Sequence, residues 1–335
     1  MNLSKNPEFD FYDKTSLKSY NLDQSMQYQL NMLGSLDVFT RKHCENVASI
    51  TCRICEYLHL SKDFIAYCTI CAYLHDIGKQ FIPPAVLQKP GKLTDEEFEI
   101  MKTHTTIGYE MCMKDLKLRP YAAGPYYHHE ALDGSGYPQG LGKKDIPYEA
   151  QIIRVADEYD AIVSKRQYKS HIGISDTLKI IIENTQPHQK INSSDALSEI
   201  TNNVKLGKDN PKIVKCLIKV VIDDIEYEIS GKQEYLDYIK ENLKRFEQMN
   251  IYKDKMNNAK KDKDKNFYLE GIQMLLQQGE TIENIEQVYN ELEDAYDLRK
   301  KEIDHLWDEI KEIKKLKVKW EKAVKVDGRL HWFSF

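Results

Sequence analysis

The sequence predicts an all-α protein: a helical bundle followed by a C-terminal helical, coiled-coil-like extension. Three observations carry this expectation. Apolar residues recur at helical spacing through most of residues 23–222, with almost no period-two alternation. Proline and glycine clusters interrupt these runs at plausible helix ends. From Ile282 onward an apolar stripe of strict heptad period continues for six heptads.

In chain order, residues 1–22 form a polar N-terminal tail without the apolar stretch of a signal peptide. Helical patterns cover approximately 24–36, 38–58, 62–77, 95–114, 118–130, 148–164, 174–185 and 211–222. Gly78 is expected to stop the third of these. Pro83-Pro84 and Pro90-Gly91 separate it from the fourth, which opens on the capping-box pair Thr94 and Glu97. Gly134, Gly136, Pro138, Gly140 and Gly142 mark an irregular loop before residue 148, in which Gly134 and Gly136 permit positive φ and Asp133 braces the turn.

Residues 223–280 form a connecting segment, mostly helical. Ile225, Tyr227 and Ile229 alternate with polar residues and predict a short strand or extended arm closed by Gly231. Helix resumes over 232–249, and 253–265, with six Lys and three Asp, is a solvated face or linker. In 281–335 the heptad a residues are Ile282, Tyr289, Tyr296, Ile303, Ile310, Lys317 and Val324. The d residues are Ile285, Leu292, Arg299, Leu306, Ile313 and Trp320. Eleven of these thirteen are apolar. That stripe fits an intermolecular or hairpin coiled coil, with a homodimer or protein partner engaged through residues 281–325. It also fits one amphipathic helix folded back on the globular domain.

Composition bounds the function. With 41% hydrophobic and 30% charged residues in 335, the chain reads as globular. A net charge of −5 disfavours a protein that coats nucleic-acid polymers, while a local basic pocket for phosphate stays compatible. No apolar run approaches the roughly 20 residues of a membrane helix, so no membrane partner and a cytoplasmic location are expected. Cys52, Cys55, Cys68 and Cys71 have the spacing of a four-thiolate zinc site. However, both pairs fall inside helical patterns, where i,i+3 cysteines share a face and pack as small apolar groups.

The chemistry is concentrated in scattered His and Asp residues. His75-Asp76 offers an imidazole and a hard carboxylate to one small volume. His43, His104, the doublet His128-His129, and Asp157 on an apolar helix are further potential ligands. An unpaired carboxylate on such a helix is costly to bury, and a metal would remove that cost. A two-metal phosphohydrolase site needs this inventory: histidines, one carboxylate shared by both ions, and a nearby cation. Any one of these histidines alone is as well explained by an ordinary hydrogen bond. His59, His171, His188, His305 and His331 lie outside the constellation and are expected to face solvent.

Taken together, the segments resemble the HD-GYP domain, a branch of the HD phosphohydrolase superfamily. His75-Asp-Ile-Gly-Lys79 is similar to its HD-x-GK signature, and His104-Thr-Thr-Ile-Gly108 to its H-x-x-x-G element. His128-His-Glu-Ala-Leu-Asp-Gly-Ser-Gly-Tyr-Pro138 matches HHE-x-x-DG-x-GYP almost letter for letter. Arg154-Val-Ala-Asp-Glu-Tyr-Asp-Ala161 followed by Lys165-Arg-Gln-Tyr-Lys169 resembles its last metal-and-phosphate segment. The likeness covers about residues 25–222.

The resemblance implies an HD-type helical bundle and a metal-dependent phosphodiesterase for cyclic di-GMP, yielding linear pGpG, GMP or both through a hydroxide held between two ions, iron or manganese. Its ligands are His43, His75, Asp76, His104, His128, His129 and Asp157, with Asp76 as the bridge. Lys79 serves catalysis and faces the substrate phosphate, which Arg166 and Lys169 also grip. Glu130 and Asp160 orient ligand histidines. One departure stands out: Phe39 occupies the place where three-metal members carry Glu, which implies two ions and favours the linear dinucleotide. Another cyclic dinucleotide such as cyclic GMP-AMP, or a nucleotide-sensing scaffold signalling through the coiled coil, remain the alternatives.

Overall fold

A computed structural model describes residues 38–164, 174–185 and 207–326. The expected helix at 24–36 lies outside them, as do Arg166, Lys169, His171, His188 and His331. Every regular element among the described residues is helical: α1 (Val38–Tyr57), α2 (Lys62–Leu74), a 3-10 turn (Ile77–Phe81), α3 (Pro84–Leu87) and α4 (Asp95–Lys114). There follow a second 3-10 turn (Arg119–Tyr121), α5 (Ala123–Tyr127), α6 (Tyr148–Ser164), α7 (Ile174–Asn184), α8 (Pro211–Asn258), α9 (Asp262–Leu275) and α10 (Ile285–Val326). No helix among the described residues is long and apolar enough to cross a membrane.

The described residues form two compact units, those up to Val221 together with those from Ile313 onward, and Ile222–Glu312. In the first, α1 packs on α2 and α6, α2 on α5, and α6 on α7. Val47, Ile54, Leu74, Ile152, Ile153, Leu178 and Leu217 are fully buried there. All four cysteines of the two CxxC pairs are free and buried in α1 and α2. None joins a cluster of three metal-competent side chains among the described residues, so they fill the α1–α2 contact as small apolar groups. Near the end of the chain Trp320 is buried and its indole donates to Thr185 Oγ1 at 3.2 Å, while Lys215 pairs with Glu321 at 3.3 Å.

The second unit is an antiparallel hairpin of α8 and α10 with α9 at its tip. Lys232 meets Glu302 at 2.8 Å, the Arg299 guanidinium lies 5.3 Å from the Tyr235 ring centre, and Phe246 and Met249 pack with Ile272, Ile285, Tyr289 and Leu292. Partner numbers fall along α10 as they rise along α8. Every a and d residue from Ile285 to Trp320 is buried or half-buried within this one chain, so the heptad seam is occupied intramolecularly.

Several boundaries differ from expectation. The strand expected at 225–229 is helix, because Ile225, Ile229, Leu236, Ile239, Phe246 and Met249 form one buried stripe at steps of three, four and seven. Tyr227, two residues from each isoleucine, points away from that stripe and is exposed. The pattern at 211–222 therefore continues to Asn258. The expected helix 118–130 is broken into a 3-10 turn and α5, where Pro120 and Pro125 remove helix donors. The expected helix 62–77 ends at Leu74, before Gly78 is reached.

The hairpin core makes Phe246→Ala a sensitive probe. The substitution is expected to destabilise the unit by about 3–5 kcal/mol, read as a lowered urea midpoint followed by far-ultraviolet circular dichroism.

Candidate metal centre

Local chain geometry delivers each candidate ligand to one place. His43 lies on α1 and Asp157 on α6, with His75 and Asp76 at the turn where α2 gives way to 3-10 geometry. His104 is on α4, and His128-His129 follow α5. Gly78 and Gly108 let the turn after Asp76 lie against α4. A Cβ on Gly78 would stand 2.0 Å from the His104 carbonyl oxygen, and one on Gly108 would stand 2.9 Å from Pro125 Cβ. Gly78 therefore serves close approach and does not stop the helix.

The seven residues fall into two groups around Asp76. Donor atoms of His43, His75 and Asp157 lie within 4.8 Å of one another, as do those of His104, His128 and His129. Asp76 Oδ2 faces the first group, 3.6 Å from His43 Nε2 and 3.3 Å from His75 Nε2. Its Oδ1 faces the second, 3.4 Å from His104 Nε2 and 3.9 Å from His128 Nε2. Asp157 reaches His43 Nε2 at 3.0 Å through Oδ1, and its Oδ2 stands 3.9 Å from His129 Nδ1.

The hydrogen bonds settle which ring nitrogens are free. His75 Nδ1 donates to Ala72 O at 2.7 Å, His104 Nδ1 to Met101 O at 2.6 Å, and His128 Nδ1 to Gly124 O and Pro125 O at 3.0 Å each. A carbonyl only accepts, so these three imidazoles carry hydrogen on Nδ1 and present a bare Nε2 to the centre. His104 Nε2 and His128 Nε2 then face each other at 3.3 Å with no hydrogen between them. Lone pairs that close repel unless a cation lies beside them. His75 Nε2 and Asp76 Oδ1 are buried without any hydrogen-bond partner, a cost that coordination removes. The donor set fits divalent metal ions.

Electrostatics agree. Burial holds His104 down to about 4 and His129 to about 3, with His128 also well below its usual range, so all three are neutral near pH 7, as a metal ligand must be. Asp76 is kept ionised: burial alone would raise it, but the Lys79 charge beside it outweighs that and holds it low. Asp157 is likewise low, because the His43 bond overcomes burial. For His43 burial acts downward, and bonds to Asp157 and Asp160 push it up to about 10. His43 thus holds a proton on the Nε2 that faces Asp157, which a metal ion bound there would displace.

Lys79 lies on the rim of the cluster with its Nζ 2.5 Å from Asp76 Oδ2. Asp160 orients His43, accepting from Nδ1 at 2.6 Å, and also accepts from Asn46 Nδ2 at 3.1 Å. The same role expected of Glu130 is not what it does. Glu130 accepts from the backbone N–H groups of Gln139 and Leu141 at 2.6 and 2.8 Å, and so staples the glycine-rich loop. Asp133 braces that loop by accepting from Ser135 N and Oγ. Gly134 has φ of +80°, but Gly136 does not adopt positive φ. Its hydrogen is required because a Cβ would stand 2.3 Å from Ala131 N. His59 and His305 are exposed, as expected.

Arg154, one turn before Asp157, is a contributor that sequence reasoning quoted but gave no role. It donates to Asp209 Oδ1 at 2.9 Å and to the His129 carbonyl at 3.4 Å, tying the histidine doublet to residue 209. Burial and Asp209 push the neighbouring Glu158 up to about 8. Asp209 carries no motif signal, since its partnership spans fifty-five residues of sequence.

With this geometry, comparison with known proteins becomes specific. Residues 27–189, just under half of the chain, match the HD domain family, and the 128–138 run resembles the motif of its HD-GYP branch. It is similar to a cyclic di-GMP phosphodiesterase of Thermotoga maritima, 46% identical over 144 residues, covering 42% of this chain and 39% of that protein. It is also similar to the cyclic di-GMP phosphodiesterase response regulator RpfG of Xanthomonas campestris, 42% identical over 132 residues, covering 39% and 35%. A 3′3′-cGAMP-specific phosphodiesterase of Vibrio cholerae is 35% identical over 146 residues, covering 44% and 32%. The chain therefore spans well under half the length of these curated relatives.

Because Asp160 holds His43 by its far nitrogen, Asp160→Ala is expected to weaken metal binding about 10–100-fold while the fold persists. Competition with a fluorescent chelator, alongside a thermal melt, measures both.

Proposed function

We propose that this chain hydrolyses a 3′–5′ phosphodiester bond of a cyclic dinucleotide, cyclic di-GMP first, at a centre of two iron or manganese ions. The observation that carries this reading is the division of the Asp76 carboxylate between two sets of ligands. His43, His75 and Asp157 would hold one ion, and His104, His128 and His129 the other, with Asp76 shared. Ions bound there would act as Lewis acids on the phosphate and lower the pKa of bound water.

The chain's own groups supply the rest. Lys79 is partly exposed and stays ionised, since Asp76 and Asp157 more than offset its burial. It offers a positive charge to a phosphate oxygen at the rim. Arg166 and Lys169 are assigned to substrate phosphates on their motif position alone. Phe39, 67% exposed one turn before His43, offers no ligand for a third ion, which favours linear pGpG as product. Because relatives named for cyclic di-GMP and for 3′3′-cGAMP both match this chain, and metal ions recognise phosphate and not base, cyclic GMP-AMP is the second substrate to test.

Protein purified anaerobically is expected to contain about two transition-metal ions per chain by elemental analysis and to convert cyclic di-GMP to pGpG by chromatography. Asp76→Ala should retain less than one ion and lose at least about 100-fold in activity. Full turnover by metal-free Asp76→Ala would sink the mechanism. The ratio of kcat/KM for cyclic di-GMP and cyclic GMP-AMP decides the substrate.

A further inference from the structure

Four of the five clustered histidines have their Nδ1 fixed by a hydrogen bond, three to backbone carbonyls and His43 to Asp160. His129 is the exception. Among the described residues no carbonyl or carboxylate lies within hydrogen-bond distance of its ring, and Asp157 Oδ2 stands 3.9 Å from its Nδ1. The His129 ring is tilted against those of His128 at 4.1 Å and His104 at 5.2 Å, and the ring laid nearly parallel to it is that of Tyr137. Their centroids are 4.6 Å apart and their planes differ by 28°.

Tyr137 is itself held by α4. Phe98 stands edge-on to it at 6.1 Å and 81°. Lys102, one helical turn further on, places its Nζ 4.9 Å from the Phe98 ring centre and 5.6 Å from that of Tyr137. The helix that supplies His104 thus also buttresses the ring against which His129 lies. The glycine-rich loop fixes the other end, through the Tyr137 N–H donating to the His129 carbonyl at 3.2 Å and through the Glu130 staple next to it.

We propose that Tyr137 is the positioning residue for His129, doing by ring stacking what carbonyls and Asp160 do for the other four ligands. This inference rests on the metal-centre reading above. An imidazole without a hydrogen-bond partner turns freely about its second side-chain torsion, and a stacked aromatic face opposes that rotation because tilting the ring breaks the contact. Stacking leaves both imidazole nitrogens free of protein hydrogen bonds, so one remains available for coordination beside His104 and His128. The aromatic face touches His129, and the phenol oxygen is not needed for that contact.

The test is metal binding, not turnover. Full-length chain stripped of metal is titrated with Mn²⁺ by calorimetry, with stoichiometry checked by elemental analysis and folding by circular dichroism. Wild type should take up two ions, and Tyr137→Phe should match it in both affinities. Tyr137→Leu, which fills most of the space without a flat face, and Tyr137→Ala should each weaken one ion by about 10–100-fold and leave the other unchanged, the pattern also expected of His129→Ala. The proposal is overturned if Tyr137→Leu binds both ions as wild type does, if Tyr137→Phe loses the ion that Tyr137→Leu loses, or if both ions weaken equally. Wild-type protein that takes up no Mn²⁺ would instead overturn the metal-centre reading on which it stands.

Discussion

The carboxylate of Asp76 is the constraint around which the first unit is organised. It is 1% exposed, ionised, and surrounded by imidazoles, of which His75, His104 and His128 turn a bare Nε2 towards it and His43 a protonated one. One oxygen belongs to His43 and His75 and the other to His104 and His128. A buried anion in such company is destabilising unless cations accompany it. Lys79 supplies one positive charge, and the bare Nε2 atoms are arranged for more. Helices α1, α2, α4, α5 and α6 each bring at least one group to this point, and their packing is what makes the point exist.

The candidate ligands are held by the ordinary properties of helical backbone. His75, His104 and His128 each donate from Nδ1 to a carbonyl three or four residues earlier, so the same backbone that positions the residue also fixes its tautomer. The close approach of the 3-10 turn to α4 depends on two glycines, because a side chain on Gly78 would occupy the place of the His104 carbonyl. The placing of these donor groups and main-chain packing are consequently one problem in this fold. The glycine-rich loop joins it from outside, with Glu130 closing the loop and Tyr137 laid on His129.

The extension obeys the same economy of apolar surface at a larger scale. A heptad stripe is a buried seam waiting for a partner helix, and here α8 provides one from within the chain. Arg299 and Lys317, the two polar members of the seam, are only half-buried, and Arg299 is matched by Glu302 at 2.7 Å and the Tyr235 ring. Toward the chain's end, Trp320 finds a hydroxyl acceptor on Thr185 for the indole N–H that burial would otherwise orphan.

Much of this was legible in residue order. Helix starts at 38, 95, 148, 174 and 211 follow from periodicity and caps, and the seven side chains that the fold gathers around Asp76 are the ones that residue type and motif single out as candidate ligands. The strand expected at 225–229 shows the limit of such reasoning: three alternating residues suit a strand or a helix, and only the buried stripe running on to Met249 chooses between them. Glu130 shows the same limit in chemistry, since a carboxylate beside two histidines could orient them or brace a loop, and the fold gave it the loop. The sequence by itself determined that the chain is helical and which His and Asp side chains are candidates for the centre. Only tertiary structure decided how they divide into two sets about Asp76, which ring nitrogens are bare, and that the heptad seam closes on its own chain, because each of those depends on contacts between residues far apart in sequence.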